Sequence, residues 1–176
     1  MPFKSAKYIF GLLIALQVGP RCLAQNTIFA KFDNLNCQGI VVGHLDEAAV
    51  FSLSIGATND AILSAGGAGS GKAQFADIKV VKTLDACTPQ LFQKLAQGTP
   101  LNEVDIEIVN PATASAPETP VLLIQLLNVT VTSEEFAEAV GGRPSEVVGL
   151  FWQKITIIHQ GSNATFKWDR STNATF

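Results

Sequence analysis

The residues with the most obvious chemical promise are Gly66-Gly67-Ala68-Gly69-Ser70-Gly71-Lys72-Ala73, which follow the G-x-x-x-x-G-K pattern of a phosphate-binding loop. That chemistry needs a buried strand before the loop and a helix after it, whose N-terminal amides and dipole hold the phosphate. It also needs a Ser or Thr after the lysine to ligate Mg²⁺. Ala73 has no hydroxyl, and Ala73-Gln-Phe-Ala-Asp-Ile-Lys-Val-Val after Lys72 reads as a strand. The segment is expected to be a glycine-rich connection between strands, its glycines permitting positive φ and close backbone approach.

Other chemistry-bearing residues form weaker patterns. His44 and His159 are the only histidines, with no cysteine or carboxylate at metal-ligand spacing around either, so each reads as an ordinary surface or core residue. No G-x-S-x-G elbow is present. Glu103, Asp105 and Glu107 alternate along a predicted strand, where they form a solvated acidic strip that favours solubility over cation binding. Trp152 and Trp168 offer a sugar-stacking platform or, more simply, core packing. Asn128-Val-Thr, Asn163-Ala-Thr and Asn173-Ala-Thr match the glycosylation sequon, which matters only in a eukaryotic secretory route. No catalytic, cofactor-binding or metal-binding residue is assigned, and a non-enzyme is expected.

The elements that must position these residues are mostly strands. Period-two alternation predicts strands at 27–33, 49–55 (Phe51, Leu53 and Ile55 inward), 73–82, 104–108, 121–131, 148–157 and 165–168. In 73–82 the apolar parity changes between Phe75 and Ile78, the mark of a bulge or sharp bend. The segment 110–120 carries three prolines and predicts a mobile hairpin loop. One helix is predicted at about 88–98: Thr88 as N-cap, Pro89 opening the helix, Leu91, Phe92 and Leu95 on one face, and Gly98 closing it. Ser133–Val140, with acids in its first turn and Gly141-Gly142 behind it, predicts a second, weaker helix. The fold class expected is mainly β, an antiparallel two-sheet barrel or sandwich with one flanking helix.

Composition sets the frame. A chain of 176 residues, 47% hydrophobic and 15% charged, with a formal charge of −3 and no Lys/Arg cluster, is one globular domain with no affinity for nucleic acid expected. Residues 1–24 read as a signal peptide: Lys4 and Lys7, an apolar run over 8–18, Gly19-Pro20, then Cys22-Leu23-Ala24. Cleavage before Gln25 would remove three basic residues and no acid, taking the charge from −3 to −6. The mature domain is 25–176, secreted or periplasmic, with no further membrane segment. It keeps Cys37 and Cys87, which either pair in an oxidising compartment or pack as small apolar residues.

Two blocks resemble the haemolysin-coregulated protein family, the tube proteins of bacterial type VI secretion. The first is "GGAGSGKAQFADIKVVKTLDACTPQLFQKLAQG", with Phe75, Asp77, Lys82, Asp85 and the Thr88-Pro89 helix start. The second is "RPSEVVGLFWQKITI", where Pro144, Glu146, Val148, Leu150, Lys154 and Ile155 match, and Ser145 and Trp152 stand in for Thr and Phe. The resemblance implies a small β-barrel with a helix alongside, a homo-oligomer of hexameric rings that stack into a tube, and association with secreted effectors or spike proteins. A Sec-type leader is unusual for such proteins. The different-class expectation is a monomeric extracellular β-domain that binds carbohydrate or another ligand.

Overall fold

The computed structural model describes residues 27–39, 41–59, 62–64, 67–69, 72–113, 116–140 and 143–176. The leader expected at 1–24 lies outside the described residues. Among the described residues eleven strands and one helix follow in chain order: β1 (Thr27–Phe32), β2 (Ala48–Ser54), β3 (Ala57–Asn59), β4 (Ile62–Ser64), β5 (Gly67–Gly69), β6 (Ala73–Phe75), β7 (Ile78–Thr83), α1 (Thr88–Gln97), β8 (Leu101–Asn110), β9 (Thr119–Val140), β10 (Arg143–His159) and β11 (Ala164–Asp169). This is the mainly β architecture with one flanking helix that the alternation implied.

The principal sheet runs β11-β10-β7-β2-β1-β8-β9, and a further pairing of β9 with β10 closes it into a barrel of six strands, leaving β11 as an extension. Every pairing is antiparallel. Closure removes the open edges of those six strands. The core inside is aliphatic, with Ala30, Phe32, Ile78, Val80, Leu101, Val104, Ile106, Ile124, Leu126, Val148 and Leu150 all buried.

The parity break in 73–82 is a real bend. Phe75 ends β6, Ala76 and Asp77 turn, and Ile78 opens β7 in a different sheet, because β6 pairs with β3 while β7 pairs with β2 and β10. In β2 the alternation misleads. Ala48 and Val50 are buried, a register shift follows between Val50 and Ser52, and Phe51 and Ile55 come out exposed. The bulge swaps the faces.

The predicted second helix is a strand. Residues Ser133–Val140 continue β9, pairing with β10 as Ser133↔Gly149, Glu134↔Val148, Glu135↔Val147 and Phe136↔Glu146. A helix here would leave that stretch of β10 unpaired on one side, and Phe136 would lose its stacking on Phe92 of α1, 6.1 Å away. Cross-strand partners override a local helical pattern. The first helix forms as predicted except at its start. Cys87 is the N-cap, and Thr88 is the first helical residue, its hydroxyl committed elsewhere. Gly98 closes the helix at φ 63°, its N–H donating to the Leu95 carbonyl.

Candidate functional site

The glycine-rich segment does not build a phosphate site. Gly67–Gly69 forms β5, paired with β4 in a short two-stranded ribbon, and β6 follows Lys72 where a helix would have to stand. Gly66, Ser70 and Gly71 lie outside the described residues, so the φ angles expected of them do too.

The tryptophans are packing residues. Trp152 is 1% exposed, and the Phe75 ring stands edge-on to it at 5.1 Å and tilted against Trp168 at 5.9 Å. Arg170 covers this cluster from outside. Its guanidinium lies 4.1 Å from the Phe151 ring and 5.0 Å from Trp152, and Nη2 donates to the Phe75 carbonyl at 3.0 Å. Each sequon asparagine has a left-handed φ, 51° for Asn128 within β9, 55° for Asn163 and 52° for Asn173. Asparagine tolerates that conformation better than most residues, which gives the repeated NAT a backbone reason.

The acidic strip is only half solvated, a correction to the open face expected of it. His44 of loop 41–47 stacks on Phe29, the cross-strand partner of Glu107, and Glu103, Asp105 and Glu107 are all pushed above the usual carboxylate range, chiefly by burial. The imidazole is 7% exposed, stacked at 3.6 Å and 7° on Phe29, with Nδ1 2.7 Å from Glu47 Oε2 and Nε2 2.7 Å from Glu118 Oε1. The carboxylates that spacing did not place around this histidine are supplied by its own loop and by a residue 74 positions away.

The two sequence blocks meet at one buried polar cluster. Lys82 on β7 faces Glu146 on β10 in register, both with fully buried side chains, and Nζ pairs with Glu146 Oε1. The same ammonium reaches Asp85 Oδ1 at 2.8 Å and the Thr83 carbonyl at 3.2 Å. The Thr88 hydroxyl donates to Glu146 Oε1 at 2.9 Å and accepts from the Asp85 N–H at 3.0 Å. Asp85 Oδ1 also accepts from the Cys87 N–H at 2.9 Å. Helix α1 is thus held at its N-terminus by β7 and β10 together. The spot is locked once more by a disulfide between Cys37 and Cys87, which ties the β1–β2 loop to the helix cap. Asp85 lies within 4.8 Å of both sulfurs, but sulfurs bonded to each other provide no thiolate for a metal.

Glu134 completes the cluster. Its carboxyl is pushed up to about 7 by burial, then by the hydrogen bond and negative charge of Glu146, with Lys82 pulling the other way. No N–H or O–H donor among the described residues reaches either Glu134 oxygen or Glu146 Oε2. A proton shared between the two carboxyls gives one Glu134 oxygen and Glu146 Oε2 a partner. The ordinary value is 4.5, so this contribution to stability is complete below about pH 4.5 and is lost as pH rises through about 7. Glu134→Gln keeps a donor at every pH. We expect it to be near neutral at pH 5 and to gain about 1–2 kcal/mol over the wild type at pH 8, a figure reduced for partial solvent screening. Urea unfolding at the two pH values measures this, and equal differences at both would refute the shared proton.

What the site can do chemically is hold secondary structure together. It has no open nucleophile, no base with access to solvent and no unpaired cation, and its polar atoms are spent on one another.

A family model for "Type VI secretion system effector, Hcp" matches residues 29–159, well over half of the chain. No curated protein matches the chain. Among solved structures, a type six secretion system protein superposes with TM-score 0.72 at 21% identity, over 86% of this chain and 100% of its own. A type VI secretion system effector from Yersinia pestis gives 0.64 at 20%, covering 81% and 98%. Hcp1 from Salmonella typhimurium gives 0.67 at 17%, covering 86% and 99%. At these identities the superpositions establish the fold. The family match spans both sequence blocks and every strand of the barrel, and the chain belongs to the haemolysin-coregulated protein family of type VI secretion.

Proposed function

We propose that this chain is a non-enzymatic tube subunit, a homo-oligomer of hexameric rings that stack and accompany secreted effectors or spike proteins. The observation that carries the reading is a closed barrel that leaves large apolar side chains outside: Val42 (92% exposed), Leu45, Phe51, Phe136 and Phe166. Contact between copies of the chain would cover them. A head-to-tail contact between unlike faces of one chain closes into a ring when its rotation allows, and stacking extends it along one axis. In this reading residues 1–24 are a cleaved leader and the domain 25–176 works in the periplasm or outside the cell.

Native mass spectrometry on protein purified from its expressed full chain is the test. A six-fold species is expected, and N-terminal sequencing should begin at Gln25. A monomer at every practical concentration would remove the ring and favour a solitary ligand-binding domain.

A further inference from the structure

His44 is bonded in a way that only one of its protonation states can sustain. Both ring nitrogens lie 2.7 Å from carboxylate oxygens, Nδ1 from Glu47 and Nε2 from Glu118. Neutral imidazole has one N–H, so one nitrogen would turn a lone pair toward a carboxylate. The imidazolium has two N–H groups and satisfies both. It also gains from the stacked Phe29 ring beneath it, 3.6 Å away.

The disulfide anchors the β1–β2 loop at Cys37, and beyond that point the 41–47 stretch has few ties. Glu47 and His44 belong to the β1–β2 loop, Glu118 to the segment between β8 and β9, and Phe29 to β1. Within the loop His44 N–H donates to the Val41 carbonyl at 3.0 Å, but the Cys37 N–H to Asp46 carbonyl and Glu47 N–H to His44 carbonyl bonds are long, at 3.4 Å and 3.3 Å. Its path is nevertheless tight, since a Cβ at Gly39 would stand 2.1 Å from the His44 carbonyl oxygen. The loop presents Val41, Val42 and Leu45 to solvent. The charged groups around the imidazole are Glu47, Glu118 and, from β8, Glu107, with Asp105 further along the strip and Lys31 paired to Asp46 at 3.9 Å on the rim.

We propose that His44 is a pH-dependent latch: as imidazolium, clamped between Glu47 and Glu118 over Phe29, it fixes the apolar loop 41–47 and the 117–118 segment to the β1–β8 face, and deprotonation releases both. Burial pulls the His44 ring below 6.5, and the carboxylates of Glu118 and Glu47 more than offset that, so the folded value lies above it. A raised value means the latch is fully formed below about pH 6.5, down to the carboxylate range, and is lost as pH rises through the folded value.

Hydrogen exchange on the full chain, corrected for intrinsic rates and run at pH 6 and pH 9 in one oligomeric state, reads the latch directly. Protection across 41–47 and 118–119 is expected to fall about tenfold at the higher pH, the scale of losing one charge-assisted hydrogen bond. His44→Gln should exchange fast at both pH values. Glu118→Gln, whose amide accepts from or donates to a neutral ring, should keep protection but lose most of its pH dependence. Wild-type protection unchanged between the two pH values would overturn the proposal. If His44→Gln does not fold, an NMR titration of the wild type decides: loop amides must follow the His44 ring curve, and loop shifts that ignore that curve also overturn it. The readout lies within one chain, so its outcome is independent of whether rings form.

Discussion

Lys82→Met is expected to destabilise the protein by about 3–5 kcal/mol at pH 7.5, the range for removing one partner of a buried ion pair. The side chain is fully buried, and it is the only cation in contact with Asp85 and Glu146 among the described residues. Without it, Glu146 is left as a buried charge beside Glu134, and both would be driven to take up protons. The loss should therefore be smaller at pH 5 than at pH 7.5. Glu146→Gln is predicted to be milder, about 1–2 kcal/mol, because Lys82 keeps Asp85 and the Thr88 hydroxyl keeps an acceptor. Guanidinium unfolding curves of the two variants check the ordering as well as the size. A Lys82→Met protein within about 1 kcal/mol of wild type would mean that the cluster is incidental to the fold. The ordering matters because a purely steric account of Lys82, as a long side chain filling space, predicts no pH dependence and no milder partner.

Much of this cluster could be anticipated from the chain, though not its contacts. Lys82, Asp85, Thr88 and Glu146 are among the residues that carry the family resemblance, and the register Lys82↔Glu146 brings the two blocks together. The strands of the barrel were legible because one face of each is buried, and the bend at Ala76-Asp77 showed as a parity break. Where a bulge intervened, as after Val50, alternation misplaced Phe51 and Ile55, while Leu53 packs against the core as expected. Residues 133–140 failed for a different reason. Their helical signals compete with an equally local one: β10 begins at Arg143, only three residues after Val140, and Gly141-Gly142 between the two suits a two-residue hairpin connection as well as a helix stop. His44 was out of reach for a long-range reason, since Glu118 lies 74 positions away and the loop that buries the ring has no periodicity to read. The half-buried acidic strip followed from that loop and could not be seen before it. Long-range contacts set the site, and composition carries no information about them.

Removing the disulfide should lower stability by about 4 kcal/mol, the entropic gain expected from closing a loop of this length in the unfolded chain. Cys37 and Cys87 are 50 positions apart, with β2 to β7 between them. Both are buried, at 1% and 0%, so reductant reaches them only through local opening. The double variant Cys37→Ala and Cys87→Ala is a cleaner measurement than reduction, and alanine leaves no unsatisfied hydroxyl where serine would. For a domain of this size the melting temperature should fall by about 8–16 °C. A change below about 1 kcal/mol would show that the loop is already constrained in the unfolded state or that the bond is strained in the folded one. The same bond bears on where the protein lives. A structural disulfide persists in an oxidising compartment, while the cytoplasm keeps thiols reduced. Protein recovered from outside the cytoplasm and alkylated after denaturation should show neither cysteine modified. Two alkylated thiols would leave the fold untouched and remove the export route through residues 1–24, because a chain that folded in the cytoplasm is the one that would arrive with its cysteines free.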